Sequence, residues 1–130
     1  IPNVSHVVGE FARVTEPGGY LMVREPITSM GDWRHPRAGL TPRERGIPRA
    51  LLREIITSSG YVIEHERLIG FPLISNVWRW FGTPPYNSRF WTRLDRMICA
   101  LTTPNLDYHA TSKLKKFRPT AAAIVARRLP

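Results

Sequence analysis

Residues 4–27 read VSHVVGEFARVTEPGGYLMVREPI, and this stretch decides the fold. Apolar residues recur at spacings of three and four between Val4 and Val14, which predicts a helix with one apolar face. Asn3 or Ser5 has a side chain suited to cap the first turn of this helix. The sequence therefore predicts that the chain opens with one amphipathic helix.

A turn and a strand complete the stretch. The helix must end at Glu16, because Pro17 disfavours helical geometry in the residue that precedes it. The following Gly18 and Gly19 permit the positive φ angles that a tight reversal requires. Residues 20–23 are then a short apolar run that is typical of a buried strand. The predicted order is helix, reversal and strand.

The length and composition of the chain limit its class. A chain of 130 residues suits a single domain, residues 1–130, with one hydrophobic core. The chain has one cysteine, Cys99, which excludes an internal disulfide and a cysteine-built zinc site. The lack of a disulfide is typical of proteins in a reducing compartment. No apolar run approaches the roughly 20 residues of a membrane span, and no secretory signal is recognisable. These features predict a cytoplasmic protein without a transmembrane segment.

The charge balance is strongly basic. Lysine and arginine number 19 against 10 acidic residues, a net charge of +9, and most of the basic residues are arginines. This excess favours anionic partners such as nucleic acid, phosphate esters or lipid headgroups. Arginine suits bidentate phosphate contacts, but a solvated basic surface without a ligand is the alternative.

A long loop-like segment follows the first strand. Residues 28–48 read TSMGDWRHPRAGLTPRERGIP, and loops of this length are usually functional or disordered. The segment leaves the carboxyl end of a strand, where open α/β sheets bind their ligands. One interpretation is a substrate-facing loop in which Trp33 stacks and neighbouring arginines hold an anion. The other is a loop that one buried tryptophan pins to the core.

A second helix and a second strand come next. Residues 48–59 carry an apolar face and are closed by Gly60, and residues 61–71 read as an exposed or edge strand. Arg45, Arg49 and Arg53 recur every four residues and predict a basic ridge if the helix extends that far back. Such a ridge is either a solvated surface or a phosphate track.

His65 lies between Glu64 and Glu66 in this strand, a combination that suggests a metal or acid–base site. Alternate residues of a strand point to opposite faces, so both glutamates are expected on the face away from His65. We therefore predict that the three side chains do not share one ligand.

Residues 72–118 contain two predicted helices, and residues 121–127 form an apolar final strand. Cys99 is expected to be a packing residue. This region is open to three interpretations: a lid over a substrate site, an interfacial helix on anionic lipid, or core and surface without a ligand. The second helix is predicted to bury one stripe, consisting of Phe90, Trp91, Leu94, Ile98 and Leu101.

The opening stretch resembles the helix, Pro-Gly-Gly turn and fifth strand of class I S-adenosylmethionine-dependent methyltransferases of the type 11-like group. The usual family wording is Leu-Lys-Pro-Gly-Gly before an apolar strand, and residues 15–19 (TEPGG) stand in its place. Leu51-Leu52 followed by Ser59-Gly60-Tyr61 is similar to the family's final helix and sixth strand. Residues 121–127 correspond to its seventh strand.

This resemblance implies a partial Rossmann-like α/β fold. It would have three mixed strands in the order fifth, seventh, sixth, with helices on the faces and a helical insertion at about residues 72–118. The last strand would lie between the other two and antiparallel to both. The sequence lacks the glycine-rich cofactor turn and the acidic residue that binds the ribose hydroxyls. The resemblance thus implies the substrate-side, C-terminal portion of the enzyme, inactive without the cofactor-binding half.

The same resemblance suggests site residues and partners. Glu25, just after the fifth strand, and Trp33, Arg34 and His35 fall where the family places substrate contacts. His35 is the candidate general base, because imidazole exchanges its proton near neutral pH, although positioning alone serves many methyltransferases. S-adenosylmethionine would be the cofactor of the intact enzyme, with no cofactor and no metal on this chain alone.

The fifth strand, residues 20–24, would lack a neighbour in this chain. Its exposed edge is expected to pair with the missing half or with a second copy, to be covered by the chain's own terminus or insertion, or to cause aggregation. Two other functions stay open at this stage. One is a stand-alone basic module that binds nucleic acid, and the other is a peripheral membrane or lipid-substrate protein.

Overall fold

The computed structural model describes residues 3–32, 34–37, 39–41, 44–81 and 85–130. Trp33 lies outside these ranges. The predicted helices and strands are confirmed, with shifts of a few residues at some ends. The helices are α1 (Val4–Val14), α2 (Arg49–Ser58), α3 (Pro72–Phe81) and α4 (Arg89–Leu101). The strands are β1 (Tyr20–Pro26), β2 (Tyr61–Ile69) and β3 (Ala121–Arg128).

The strands form a three-stranded sheet in the order β1-β3-β2. β3 is antiparallel to both neighbours, with Tyr20 opposite Arg127 on one side and Tyr61 opposite Arg128 on the other. The molecule is thus an α/β fold with an antiparallel sheet. The predicted mixed sheet is not seen in the described residues, because both pairs of neighbouring strands are antiparallel. β1 and β2 run in the same direction, but they do not pair with each other, since β3 lies between them.

Asn3, one of the two predicted caps, starts α1. Its side-chain Oδ1 accepts a hydrogen bond from the backbone N–H of His6 at 3.0 Å. At the other end, the hydroxyl of Thr15 donates to the carbonyl oxygen of Phe11 at 2.6 Å. Helix α1 therefore ends two residues before Glu16.

The diglycine turn ties the start of β1 to the end of β3. Gly18 has a φ of +80°, the left-handed region that glycine enters without steric cost. Its N–H donates to the carbonyl of Arg128 at 3.0 Å, and the N–H of Arg128 donates to the carbonyl of Gly19 at 2.8 Å. These bonds fix the register of β1 against β3 at the turn.

The main core lies between one face of the sheet and helices α1 and α2. Tyr61, at the start of β2, is buried there, and its hydroxyl donates to the Thr15 hydroxyl at 3.0 Å. Two of the three β3 residues in this core are alanines. The buried cluster consists of Val8, Ala12, Leu21, Ile27, Leu52, Ile55, Ile56, Tyr61, Ala122, Ile124 and Ala126.

The inserted helices form a second, smaller core beside β2. Cys99 is fully buried there, as predicted, and packs with Phe71, Ile74, Trp91, Leu94 and Ile98. The predicted stripe of α4 is wrong at its two ends, because Phe90 and Leu101 are largely exposed. Asp95 is buried instead, since its carboxylate accepts hydrogen bonds from the backbone N–H groups of Gly70 and Phe71.

A β-bulge in β2 alters the predicted alternation around His65. Ile63 pairs with Ala126 and His65 with Val125, so Glu64 is an extra residue. Glu64 reaches Arg127 of β3 at 2.7 Å, whereas Glu66 turns towards α2. The prediction that both glutamates share one face is therefore wrong, but neither carboxylate is left for a ligand shared with His65.

The predicted arginine ridge is an internal ion-pair network. Arg45 precedes α2, so only Arg49 and Arg53 lie on the helix. Arg49 Nε and Nη2 donate to the Glu66 carboxylate at 2.7 and 3.0 Å, and Arg53 also contacts it. The Glu66 side chain is only 8% exposed, and the hydrogen bonds from Arg49 lower its pKa. This pairing leaves neither arginine free to serve a phosphate track.

We expect Glu66→Gln to lower the free energy of unfolding by about 1 kcal/mol at pH 7, because water screens the partly exposed arginines. The pKa of Glu66 is depressed in the folded state. Its stabilisation is therefore present above the unfolded pKa of about 4.3 and is lost as pH falls through the folded value. Urea denaturation at pH 7 and pH 3 should show the difference from the unmodified chain shrinking in acid.

Glu54→Gln is the control for this prediction, because Glu54 is exposed on the same helix. We expect it to change stability by less than about 0.5 kcal/mol at both pH values. An equal loss in both variants would show that the network does not stabilise the fold.

Candidate functional site

Two irregular segments meet at the carboxyl end of β1. One is the loop that follows β1, and the other is the segment between α4 and β3. Backbone hydrogen bonds join Ile27 to Thr120 at 2.9 Å and Ser29 to Tyr108 at 3.0 Å. The Tyr108 hydroxyl donates to the carbonyl of Gly46 at 2.8 Å. These contacts hold residues from distant parts of the sequence at one end of the sheet.

An open cleft of about 760 Å³ lies between the two segments. This size is within the usual range of small-molecule sites. Polar and charged side chains line both walls. The loop after β1 contributes Thr28, Ser29, Asp32 and Arg34, and the segment before β3 contributes His109, Lys116, Arg118 and Thr120.

Arg118 is the unusual residue of this cleft. It is 6% exposed, and its Nη2 makes one long hydrogen bond, 3.4 Å, to the carbonyl of Tyr108. Its Nη1 is buried and has no hydrogen-bond partner among the described residues. Burial lowers the pKa of Arg118, and the charge of Asp107 opposes this effect. Arg118, which lines the cleft, thus has a buried guanidinium group with an unused donor.

Arg34 lines the cleft, but its guanidinium group is already paired with a carboxylate. Its Nε and Nη2 donate to the two carboxylate oxygens of Asp32 at 3.0 and 2.8 Å. These hydrogen bonds hold the pKa of Asp32 well below its usual range. The Arg34 side chain is 73% exposed, so the pair is a surface clamp within the loop. An anion bound by Arg34 would have to compete with Asp32.

The other predicted site residues lie elsewhere or outside the described ranges. Glu25 belongs to β1 itself, one residue before its end, and is not among the described residues that line the cleft. His35 is exposed, with its Nε2 4.0 Å from Asp32, and does not line the cleft either. Trp33 is outside the described residues. The substrate-binding roles of Glu25, Trp33, Arg34 and His35 stay predictions.

Sequence reasoning did not single out Arg118 or His109 as site residues; both lie far along the chain, between α4 and β3. The one available signal was position. Arg118 is separated by only two residues from the final strand, whose apolar sequence predicts burial. Arg118 is buried next to the start of that strand. Its proximity to Thr28 follows only from the pairing of β3 with β1.

A second cavity, of about 410 Å³, lies between the other face of the sheet and α4. Its rim carries Arg24, Arg67, Arg93 and Arg96, all exposed, and none of them is in an ion pair in the part of the chain that the structure describes. This is a concentrated basic patch. The predicted anionic partners, nucleic acid or lipid headgroups among them, stay predictions for this surface.

The Cys99 thiol and the Tyr86 phenol, which lie near this cavity, are poorly suited to nucleophilic chemistry. Burial and the charge of Asp95 raise the pKa of both Cys99 and Tyr86 to about 12. The Cys99 thiol is therefore protonated at neutral pH and is not a nucleophile. The described residues include no group of three or more histidine, cysteine or acidic side chains placed to hold a metal ion.

Comparisons with known proteins do not identify a family. No family model, curated protein or solved structure gives a significant match to this chain. Among the helices in the described ranges, none combines the length and the apolar character needed to cross a bilayer.

Proposed function

We propose that this chain is the substrate-side portion of an S-adenosylmethionine-dependent methyltransferase and is inactive without a cofactor-binding half. The observation that carries the proposal is the position of the final strand. β3 lies between β1 and β2 and is antiparallel to both. The methyltransferase resemblance implies this arrangement for the seventh strand relative to the fifth and sixth.

The free edge of β1 supports the same proposal. Within the described residues β1 pairs with β3 only, and its residues Tyr20 and Met22 are exposed. An unpaired strand edge is a template for another strand. In the proposed enzyme this edge receives the strands of the cofactor half, and a second copy of the chain is the other candidate partner.

The position of the cleft fits a substrate site in such an enzyme. It opens at the carboxyl end of β1, the side of an α/β sheet where ligands bind. The proposed role of this chain is to hold the methyl acceptor there, in line with a methyl donor bound by the other half. Positioning of this kind accelerates a two-substrate reaction without a dedicated base.

The test compares two proteins. One is residues 1–130, and the other is the same chain preceded by the residues that its gene encodes upstream of residue 1. Calorimetric titration should show S-adenosylmethionine binding to the extended protein and none to residues 1–130. Hydrogen exchange of the β1 amides should slow in the extended protein, because the free edge gains a partner. The β3 amides are the internal control, since β3 is already paired on both sides.

The proposal is wrong if residues 1–130 bind S-adenosylmethionine unaided, or if the extended protein does not bind it. Unchanged exchange of the β1 amides on extension would contradict the role of the free edge.

A further inference from the structure

We infer that the cleft at the carboxyl end of β1 is a binding site for a small oxyanion, a carboxylate or a phosphate group, held by Arg118. Assigning that oxyanion to the methyl acceptor rests on the proposed function. The anion site itself rests on the contacts of Arg118 and is independent of any cofactor.

The first reason is the unused donor. A buried hydrogen-bonding group without a partner destabilises the folded state, so such groups are rare, and a bound ion or ligand is one of the ways in which they are satisfied. Arg118 Nη1 is buried without a partner in the described part of the chain, and Nη2 has only its long bond to Tyr108. A carboxylate or phosphate that enters the cleft supplies the missing acceptor.

The second reason is the charge balance around the cleft. Two carboxylates lie nearby, and each is ion-paired with another residue: Asp32 with Arg34, and Asp107 with Lys115. The charge of Asp107 also acts on Arg118, but the two side chains form no ion pair among the described residues. Lys116, on the same wall as Arg118, has no ion-pair partner among the described residues. The cleft therefore has an excess of positive charge that its own acidic groups do not neutralise.

The third reason concerns the size of the ligand. Arg118 is almost completely buried, so a polymer backbone on the surface is poorly placed to reach its guanidinium group. A cleft of about 760 Å³ accommodates a metabolite-sized molecule. The planar guanidinium fork matches the two oxygens of a carboxylate or phosphate, which favours these groups over a simple halide. The ligand class is thus a small carboxylate or phosphate monoester.

The experiment is calorimetric titration of residues 1–130 with inorganic phosphate and, separately, with benzoate, at an ionic strength held constant with sodium chloride. We expect at least one of the two anions to bind. Arg118→Met should weaken that binding by at least about tenfold, because a charge-assisted hydrogen bond is lost. Arg93→Met is the matched control, since Arg93 is an exposed arginine that lines the other cavity. The affinity of this variant for the anion should differ from that of the unmodified chain by less than about twofold.

The melting temperature of Arg118→Met in the absence of anion is a second measurement. Without anion, Arg118→Met should melt at the same temperature as the unmodified chain or higher, since it replaces a poorly paired buried charge by an apolar side chain. NMR of the Arg118 guanidinium in the unmodified chain needs no variant, and its signal should shift on addition of the anion that binds.

Binding of phosphate alone assigns a phosphate ester as the ligand class, and binding of benzoate alone assigns a carboxylate. Absence of binding by both anions, or equal affinity in Arg118→Met, overturns the inference, as does an Arg118 signal that neither anion moves. These outcomes are separable from the proposed function. Failure of the extended protein to bind S-adenosylmethionine would leave the anion site intact, and failure of the anion site would leave cofactor binding intact.

Discussion

Gly46→Ala should destabilise the protein by about 3 kcal/mol, because the added methyl group collides with backbone atoms that cannot rotate away. A Cβ at position 46 would lie 2.6 Å from the carbonyl oxygen of Pro26 and would also clash with the carbonyl oxygen of Thr28. The neighbouring Ile47 N–H donates to Pro26 at 2.8 Å, so the two segments are held together. Urea denaturation measures the loss.

The same substitution should disturb the cleft. Thr28 lines it, and Tyr108, which accepts from Arg118, donates to the carbonyl of Gly46. Gly9→Ala is the control, because the Cβ at position 9 in α1 meets nothing within 4 Å. We expect that variant to gain roughly 0.5–1 kcal/mol from helix propensity. A Gly46→Ala variant as stable as the unmodified chain would show that the close approach of the two segments does not occur.

Asp95→Ala should lower the free energy of unfolding by about 2–4 kcal/mol, because it leaves two backbone N–H groups without their acceptors. Asp95 is 2% exposed, and its two carboxylate oxygens accept from Gly70 at 3.1 Å and from Phe71 at 2.8 Å. These bonds fasten α4 to the end of β2 and the start of α3. Thermal melting with hydrogen exchange at residues 70 and 71 measures both the global and the local effect.

Two further variants test this interpretation. Asp95→Asn keeps one acceptor oxygen and should lose roughly half as much stability. Asp107→Ala removes a half-exposed partner of Lys115 and should cost much less stability than Asp95→Ala. If Asp95→Ala and Asp107→Ala lose the same stability, or if exchange at residues 70 and 71 does not accelerate, Asp95 does not anchor the insertion.

Local chemistry made most of the fold predictable. The apolar spacing in residues 4–14 and Pro17 with Gly18 act within one or two turns of the chain, so their structures follow from neighbouring residues. The β-bulge at Glu64 was not predictable in this way. It depends on the register between β2 and β3, which the sequence of β2 alone does not encode.

The candidate site was predictable only in its location. The long loop after a strand pointed to the carboxyl end of β1, and the cleft is there. Its chemistry was not predictable, because Arg34 is paired with Asp32 while Arg118, from the far end of the chain, supplies the unused donor. In the sequence, a buried arginine cannot be distinguished from an exposed one, because its burial depends on the segments that pack around it.

The sequence by itself determined the helices, the diglycine reversal, the three strands and the packing role of Cys99, since each depends on periodicity or on the φ preferences of a few adjacent residues. Only the tertiary structure decided which charges are buried and with whom they pair. Glu66, Asp95 and Arg118 share no sequence pattern, yet each lies inside. The physical reason is that the free energy of a buried charge depends on partners that long-range strand pairing brings within hydrogen-bonding distance.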